Sequence, residues 1–311
     1  MKRARSWCGA LALCAALLCG SCRDAAKPAA PAPPAAPPAA EDEAQFSGAR
    51  AYAHCAALCE LGPRPTGSAA YAQQVAYISR HLQQAGWLVH TVDFSPLPGR
   101  KMQNVHATFG APGHKPLLLS CHIDTKGQGA DAILGADDGA SGAAALLELA
   151  RVLALQPQLA GAVELAFFDG EEAFATRMSE SDGLYGSKHD VARRGMAQPR
   201  WMINLDMVGG AGKTIAVPVF DTTPEMLEQY QTAVKSLGLS EDRWTFHPGS
   251  YLDDHLPFLE AGVDVLNLIA LFKDGTWWHT PKDDMSRISA PSLAETGRLV
   301  LQIIRQLLEN K

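Results

Sequence analysis

An excess of basic charge is the first thing this sequence lacks. Its 311 residues carry 27 Lys and Arg against 33 Asp and Glu, a formal charge of −6. A nucleic-acid binder needs a basic face for phosphate, and this composition does not supply one. A disulfide framework is also missing. Four of the seven cysteines (Cys8, Cys14, Cys19 and Cys22) fall in the first 22 residues, which leaves only Cys55, Cys59 and Cys121. Cys55 and Cys59 lie one turn apart in an expected helix, where their side chains diverge too much for an easy disulfide. With no second Cys/His pair nearby, they read as small buried hydrophobes. The apolar run from Trp7 to about Gly20 is too short to cross a bilayer as a helix. The glycine-rich stretch Gly135–Gly142 is not followed by Lys-Ser/Thr, so it is no phosphate loop. Neither Ser141 nor Ser250 stands in a nucleophile-elbow sequence. What the chain does have is 47% hydrophobic residues and 7% aromatics. That is enough for a core and excludes a disordered or collagen-like chain.

The first 45 residues read as targeting and spacing. Lys2, Arg3 and Arg5 precede the short apolar run, which ends in Cys19-Gly20-Ser21-Cys22, small residues before a cysteine. This predicts a signal peptide over residues 1–22, of the bacterial lipoprotein type with Cys22 as the lipid attachment point, or else simple cleavage and secretion. Residues 25–40 are Ala or Pro at every position except Lys27, so residues 23–45 read as a semi-extended linker. Removing residues 1–22 takes away three cations and no anions, and the charge of −6 becomes −9. The expected location is outside the cytoplasm, anchored to a membrane only through that lipid.

From residue 46 to 311 the pattern alternates. Helices are expected over Ser68–Ala85, Ser141–Leu155, Pro224–Leu237, Asp254–Glu260 and Pro291–Leu308. Strands are expected over Trp87–Phe94, Gln103–Phe109, Leu117–Ile123, Val163–Phe168, Trp201–Met207 and Val263–Ile269. Continuous apolar runs such as Leu117–Ile123 mark strands buried on both faces. With no internal repeat and no Pro/Ser-rich break, this predicts a single three-layer α/β domain whose central, mostly parallel mixed sheet is flanked by helices. In such sheets reactive groups collect at the carboxyl ends of strands.

The polar residues fit that expectation. His122 and Asp124 follow the run ending at Cys121, and Asp137 and Asp138 sit in the turn before a helix. Glu171 and Glu172 follow Val163–Phe168, Asp206 closes the strand from Trp201, and His279 follows Trp277-Trp278. Five segments, each read as the end of its own strand, deliver His or carboxylate. Imidazole with carboxylate suits zinc with an open position, as one ion or a close pair. In the glutamate doublet one carboxylate can ligate while its neighbour carries protons. Asp124 is placed to orient the His122 imidazole from behind. Taken singly, each piece has a plainer reading: Asp137 and Asp138 as a helix cap, Glu171 and Glu172 as a solvated turn, Asp253-Asp254-His255 as a cap for the helix that follows.

Several segments together resemble the zinc aminopeptidase superfamily, and within it the animal-type glutaminyl cyclases (glutaminyl-peptide cyclotransferases). They are Gly62-Pro63-Arg64-Pro65-Thr66-Gly67-Ser68, Cys121-His122-Ile123-Asp124-Thr125-Lys126, Gly135-Ala136-Asp137-Asp138, Phe167-Phe168-Asp169-Gly170-Glu171-Glu172-Ala173-Phe174, Leu184-Tyr185-Gly186-Ser187, Asp253-Asp254-His255-Leu256-Pro257-Phe258-Leu259 and Trp278-His279-Thr280. The resemblance spans roughly residues 50–310. It implies conversion of the N-terminal glutamine of peptides or proteins to pyroglutamate with loss of ammonia. It makes Asp138, Glu172 and His279 the ligands of a single zinc and Glu171 the proton shuttle. Asp253 becomes the hydrogen-bonded partner of Glu171, Asp206 joins that acidic network, and Trp278 walls the substrate pocket beside Trp277. In the aminopeptidase pattern the same positions hold two zincs, with His122 and Asp206 on the second, Asp138 bridging and Glu171 activating water. A third class is a metal-binding scaffold that recognises peptide N-termini without turnover, against which the intact Glu171 argues. The chain departs from the cyclase pattern at two pocket positions. Asn267 stands where those enzymes carry a histidine, and no tryptophan occurs between Ala175 and Gly183.

Overall fold

The computed structural model describes residues 44–309 apart from 112, 180 and 272–275. The expected signal peptide with Cys22, and all of the linker before residue 44, lie outside the described residues. Four strands form the middle of the sheet. β3 (Leu117–His122), β4 (Val163–Phe168) and β5 (Trp201–Asp206) are buried at every residue, and β8 (Asp264–Ala270) at all but its first. Their sequences are apolar runs because both faces are covered. With β1 (Leu88–Leu97), β2 (Arg100–Thr108), β6 (Ile215–Pro218) and β7 (Trp244–His247) they build one eight-stranded sheet, ordered β1-β2-β4-β3-β5-β8-β6-β7. The pairings β4–β3, β3–β5, β5–β8 and β6–β7 are parallel. Those of β1–β2, β2–β4 and β8–β6 are antiparallel. The expected mixed, mostly parallel sheet is what forms.

Helices cover both faces. One side carries α1 (Gly48–Glu60), α2 (Ala69–Gln84), α3 (Ala140–Ala154), the single turn α4 (Pro157–Ala160), α6 (Pro224–Ser236) and α8 (Ala290–Glu309). The other side carries α5 (Tyr185–Arg194) and α7 (His255–Glu260). Strand alternation feeds both layers: Leu117, Leu119 and Cys121 of β3 enter the larger core, while Leu118 packs with Phe258 of α7. Local signals set the helix ends, as where the Ser68 hydroxyl caps α2 by accepting from the Tyr71 amide at 3.0 Å. The three cysteines Cys55, Cys59 and Cys121 are buried and unbridged, as expected. Among the described residues no helix is long and apolar enough to cross a membrane.

Candidate metal centre and substrate pocket

The carboxyl edge of the central strands gathers the expected residues, with one correction to their origin. His122 ends β3, Glu171 and Glu172 follow β4, Asp206 ends β5, and His279 lies on the connection after β8. Asp137 and Asp138 have no strand of their own. They lie on the same β3–α3 connection as Asp124, so four strands supply the site rather than five. That connection folds back over its own strand at Gly139, whose φ is +99°. A Cβ there would lie 2.8 Å from the Asp124 carbonyl oxygen and 3.4 Å from the His122 ring, so only glycine fits.

Asp138 sits at the corner of two donor groups, His122–Asp138–Asp206 and Asp138–Glu172–His279, each with its ligand atoms within 4.8 Å of one another. In the first, His122 Nε2 lies 3.1 Å from both Asp138 Oδ1 and Asp206 Oδ1. In the second, His279 Nε2 lies 3.3 Å from Asp138 Oδ2 and 3.1 Å from Glu172 Oε1. Those two carboxylate oxygens are buried yet make no hydrogen bond. Buried acceptors left without donors, converging with an imidazole, fit a bound cation, and the N/O donor set suits zinc.

Charge is concentrated here. Burial pushes the Glu171 carboxyl well up, and the neighbouring charges of Glu172, Asp253 and Asp254 add to this against the opposing pull of His122. Burial likewise raises Asp206, with His122 pulling the other way and Asp253 and Asp138 pushing further up. For His279 burial alone would lower the pKa, but Asp138 and Glu172 outweigh it and bring it to about 9. Burial would raise Asp138, yet its contacts with His122 and His279 hold it well below the usual carboxylate range.

Two further carboxylates hold the ligand-bearing backbone. Asp124 accepts the Glu171 amide on Oδ1 and the Glu172 amide on Oδ2, each at 3.1 Å. It steers His122 through its main-chain carbonyl, 3.2 Å from Nδ1, its carboxylate standing 3.7 Å off. Asp283 does the same for the other doublet, accepting the Asp137 amide at 2.8 Å and the Asp138 amide at 3.1 Å. Sequence reasoning missed Asp283; its only signal is a place one turn beyond His279. The Gly62–Ser68 segment ties these loops together. The fully buried Arg64 guanidinium donates to the carbonyls of Gly62 and Gly135, both at 2.9 Å, and the Arg64 amide donates to Thr125 Oγ1 at 2.9 Å. Leu184, Met207 and His279 are the non-glycine residues with positive φ among those described, at 56°, 51° and 55°, and all three flank this site.

Four other expectations are corrected. Trp277 is not a pocket wall. It is 1% exposed, with Lys213 Nζ 4.3 Å and the Arg287 guanidinium 4.7 Å from its ring centroid. Asn267 is not on the pocket either. It pairs in register with Asn204 of β5, accepts from Asn204 Nδ2 at 3.2 Å and donates to Asp253 Oδ2 at 2.7 Å, one layer beneath the site. Asp253 is not hydrogen-bonded to Glu171. Its carboxylate accepts from Asn204, Asn267 and the Asp254 amide, and it reaches Glu171 only as a like charge. Asp254 makes no side-chain cap on α7; it accepts instead from the Ser187 hydroxyl. Trp278 does line the pocket, 39% exposed and stacked on His279 with ring centroids 3.7 Å apart. Glu171, Glu172, Asp206 and His279 form the floor of a cavity of about 670 Å³, with Tyr251, Leu252 and Ile269 among its apolar walls.

Fold and centre together define an α/β domain that gathers carboxylates and imidazoles able to hold a metal at the carboxyl edge of its sheet. The chain belongs to peptidase family M28, a zinc-dependent family whose profile matches residues 104–304. It is 31% identical over 293 residues to a glutaminyl-peptide cyclotransferase of Bothrops jararaca, covering 81% of this chain and 78% of that protein. Among solved structures it is similar to Porphyromonas gingivalis glutaminyl cyclase, with a TM-score of 0.76, 26% identity and coverage of 84% of this chain and 99% of that one. A leucine aminopeptidase precursor from Bacteroides thetaiotaomicron matches with a TM-score of 0.74 and 25% identity over 84% of this chain and 97% of that one.

Proposed function

We propose that this chain is a zinc-dependent glutaminyl-peptide cyclotransferase, an acyltransferase that converts the N-terminal glutamine of peptides and proteins to pyroglutamate and releases ammonia. One observation carries the reading: the two donor groups are unequally satisfied. His122 Nε2 is hydrogen-bonded to Asp206 Oδ1 at 3.1 Å, while Asp138 Oδ2 and Glu172 Oε1, 3.3 and 3.1 Å from His279 Nε2, make no hydrogen bond. The reading therefore gives one zinc per chain, held by Asp138, Glu172 and His279. When bound there it would supply a Lewis acid to polarise the side-chain carbonyl of the glutamine. The names of the cyclotransferase and cyclase relatives support the same chemistry.

Glu171 does the proton work. The substrate α-amine attacks the side-chain carbonyl carbon, the new C–N bond closes a five-membered lactam, and the old carboxamide C–N bond breaks. Glu171 takes the proton lost by the attacking amine and returns it to the departing nitrogen, so that ammonia leaves and the carboxylate is restored. Its carboxyl, held up by burial, suits a group that must take a proton and give it back. Asp253, fixed by Asn204 and Asn267, contributes charge to that shift. Trp278 supplies the wall that holds the glutamine.

The second reading is a two-zinc aminopeptidase, favoured by the closeness of the His122–Asp138–Asp206 group and by the aminopeptidase precursor of the same fold. One assay separates the two. A Gln-initiated and a Leu-initiated peptide are incubated with the protein and followed by mass spectrometry, with zinc counted per chain. Loss of ammonia without shortening is expected; shortening of the Leu peptide overturns the cyclase reading. The same proposal extends to location, with residues 1–22 as a lipoprotein-type signal, Cys22 acylated and residues 23–45 as a tether. Cys22→Ser should move the protein from the membrane to the soluble fraction, and a wild-type protein already soluble overturns that part.

A further inference from the structure

The pocket wall beside the glutamates is a short loop closed on itself. The Phe174 and Ala175 amides donate to the two carboxylate oxygens of Asp182 at 3.0 and 2.8 Å, and the Tyr185 hydroxyl donates to Asp182 at 3.0 Å. Ser179 and Asp182 exchange backbone hydrogen bonds at 3.0 and 3.1 Å. The Arg100 guanidinium lies 4.2 Å above the Phe174 ring. A loop tied at so many points brings Thr176, Arg177 and Met178 to the pocket. It is also the stretch that lacks the tryptophan of the resembling cyclases.

Arg177 is exposed, and among the described residues its guanidinium has no hydrogen bond, ion pair or ring contact. The other cations of the pocket are engaged. Lys126 Nζ donates to the Ala173 carbonyl at 2.7 Å and lies 3.4 Å from Glu172, while His279 lies against Asp138 and Glu172. Arg177 therefore does not neutralise the acids of the floor, although they line the same cavity. Trp278, Leu252 and Ile269, which line the same cavity, offer no charge. A peptide whose amine lies at Glu171 carries its second residue about 3.5 Å further along the same cavity, which Arg177 also lines.

We propose that Arg177 is a specificity residue that binds a carboxylate of the substrate's second residue, either its acidic side chain or, in a dipeptide, its terminal carboxylate. Guanidinium takes a carboxylate bidentately, a geometry that lysine cannot copy in full. The inference rests on the reading of the cavity as a peptide N-terminus pocket. An exposed ion pair of this kind corresponds to a preference of roughly two- to fivefold, read mainly in KM and shrinking with added salt.

The test compares kcat/KM for Gln-Glu-Ala-amide, Gln-Gln-Ala-amide and Gln-Lys-Ala-amide, and for the dipeptide Gln-Ala as acid and as amide. Wild type, Arg177→Gln, Arg177→Lys and Arg177→Glu are each scored by their own acidic-to-neutral ratio. Wild type is expected to favour at least one carboxylate source, and which one identifies whether side chain or terminus is read. Arg177→Gln should erase the preference, Arg177→Lys should keep part of it, and Arg177→Glu should turn it towards the Gln-Lys peptide. An equal ratio in wild type and Arg177→Gln overturns the inference. Should no Gln-initiated peptide react, the cyclase reading fails separately, and calorimetric binding of the same peptides still decides the charge preference.

Discussion

The two donor groups around Asp138 use the same kinds of atom and end in different states. In the one built on His122, Nε2 lies 3.1 Å from both Asp138 Oδ1 and Asp206 Oδ1 while Nδ1 faces the Asp124 carbonyl at 3.2 Å. In the one built on His279, two carboxylate oxygens remain unanswered. The first is buried in the floor; the second opens on the pocket, and the side chain of His279 is 20% exposed against 2% for His122. On the one-zinc reading proposed above, the cation takes the group that opens on the pocket and His122 closes the other.

The sharpest way to break that comparison is to remove one imidazole at a time. His279→Ala or Glu172→Ala should strip the zinc and take activity to background, whereas His122→Ala should still bind one zinc per chain by metal analysis. If wild type carries two zincs and His122→Ala one, the groups are equivalent and the contrast is lost. Next in size, Glu171→Gln should cost about 10²–10⁴-fold in kcat with zinc retained. Loss of zinc instead would mean that Glu171 and Glu172 have exchanged roles. Asp283→Asn replaces one acceptor of the two-amide clamp with a donor. It should weaken zinc about 10–100-fold in chelator competition, while thermal unfolding of the apo protein moves little; unchanged affinity would leave Asp283 a purely structural residue. The smallest effect is a shift in pH dependence. Burial and neighbouring negative charge raise Glu171, so removing the Asp253 charge lowers its pKa, and Asp253→Asn should move the acidic limb of kcat/KM to lower pH. A limb that stays put or climbs contradicts the charge coupling.

The parts of this molecule that sequence announces are those where one physical demand acts on consecutive residues. β3, β4, β5 and β8 are burials on both faces and therefore apolar runs. β6 and β7, four residues each at the far side of the sheet, are too short for any period to show. α5 is largely polar, and its ties to the sheet are ionic: Arg194 reaches Glu164 of β4 at 2.6 Å and Asp190 lies 3.5 Å from His106 of β2. The same division holds in the site. His122, Glu172 and Asp206 were legible as candidates because they stand at or just past strand ends, whereas Asp138 was marked only by its glycine-rich turn. Asp283 was not, since a carboxylate that holds amides across the fold leaves no local pattern. Trp277 and Trp278 are neighbours in sequence with opposite fates, one packed between Lys213 and Arg287, the other at the cavity. Asn267 was assigned to the pocket from resemblance, but its register with Asn204 places it a layer below.

The Asp283 clamp reaches an amide 146 residues earlier in the chain. Asp138, Glu172 and His279 are similarly scattered, and the last of them emerges only shortly before the final helix. A nascent chain that has completed β8 already has all eight strands of its sheet, yet has neither the third candidate ligand nor the brace for the first. The candidate site is therefore completed only after the sheet, when the connection that carries His279 and Asp283 closes over it.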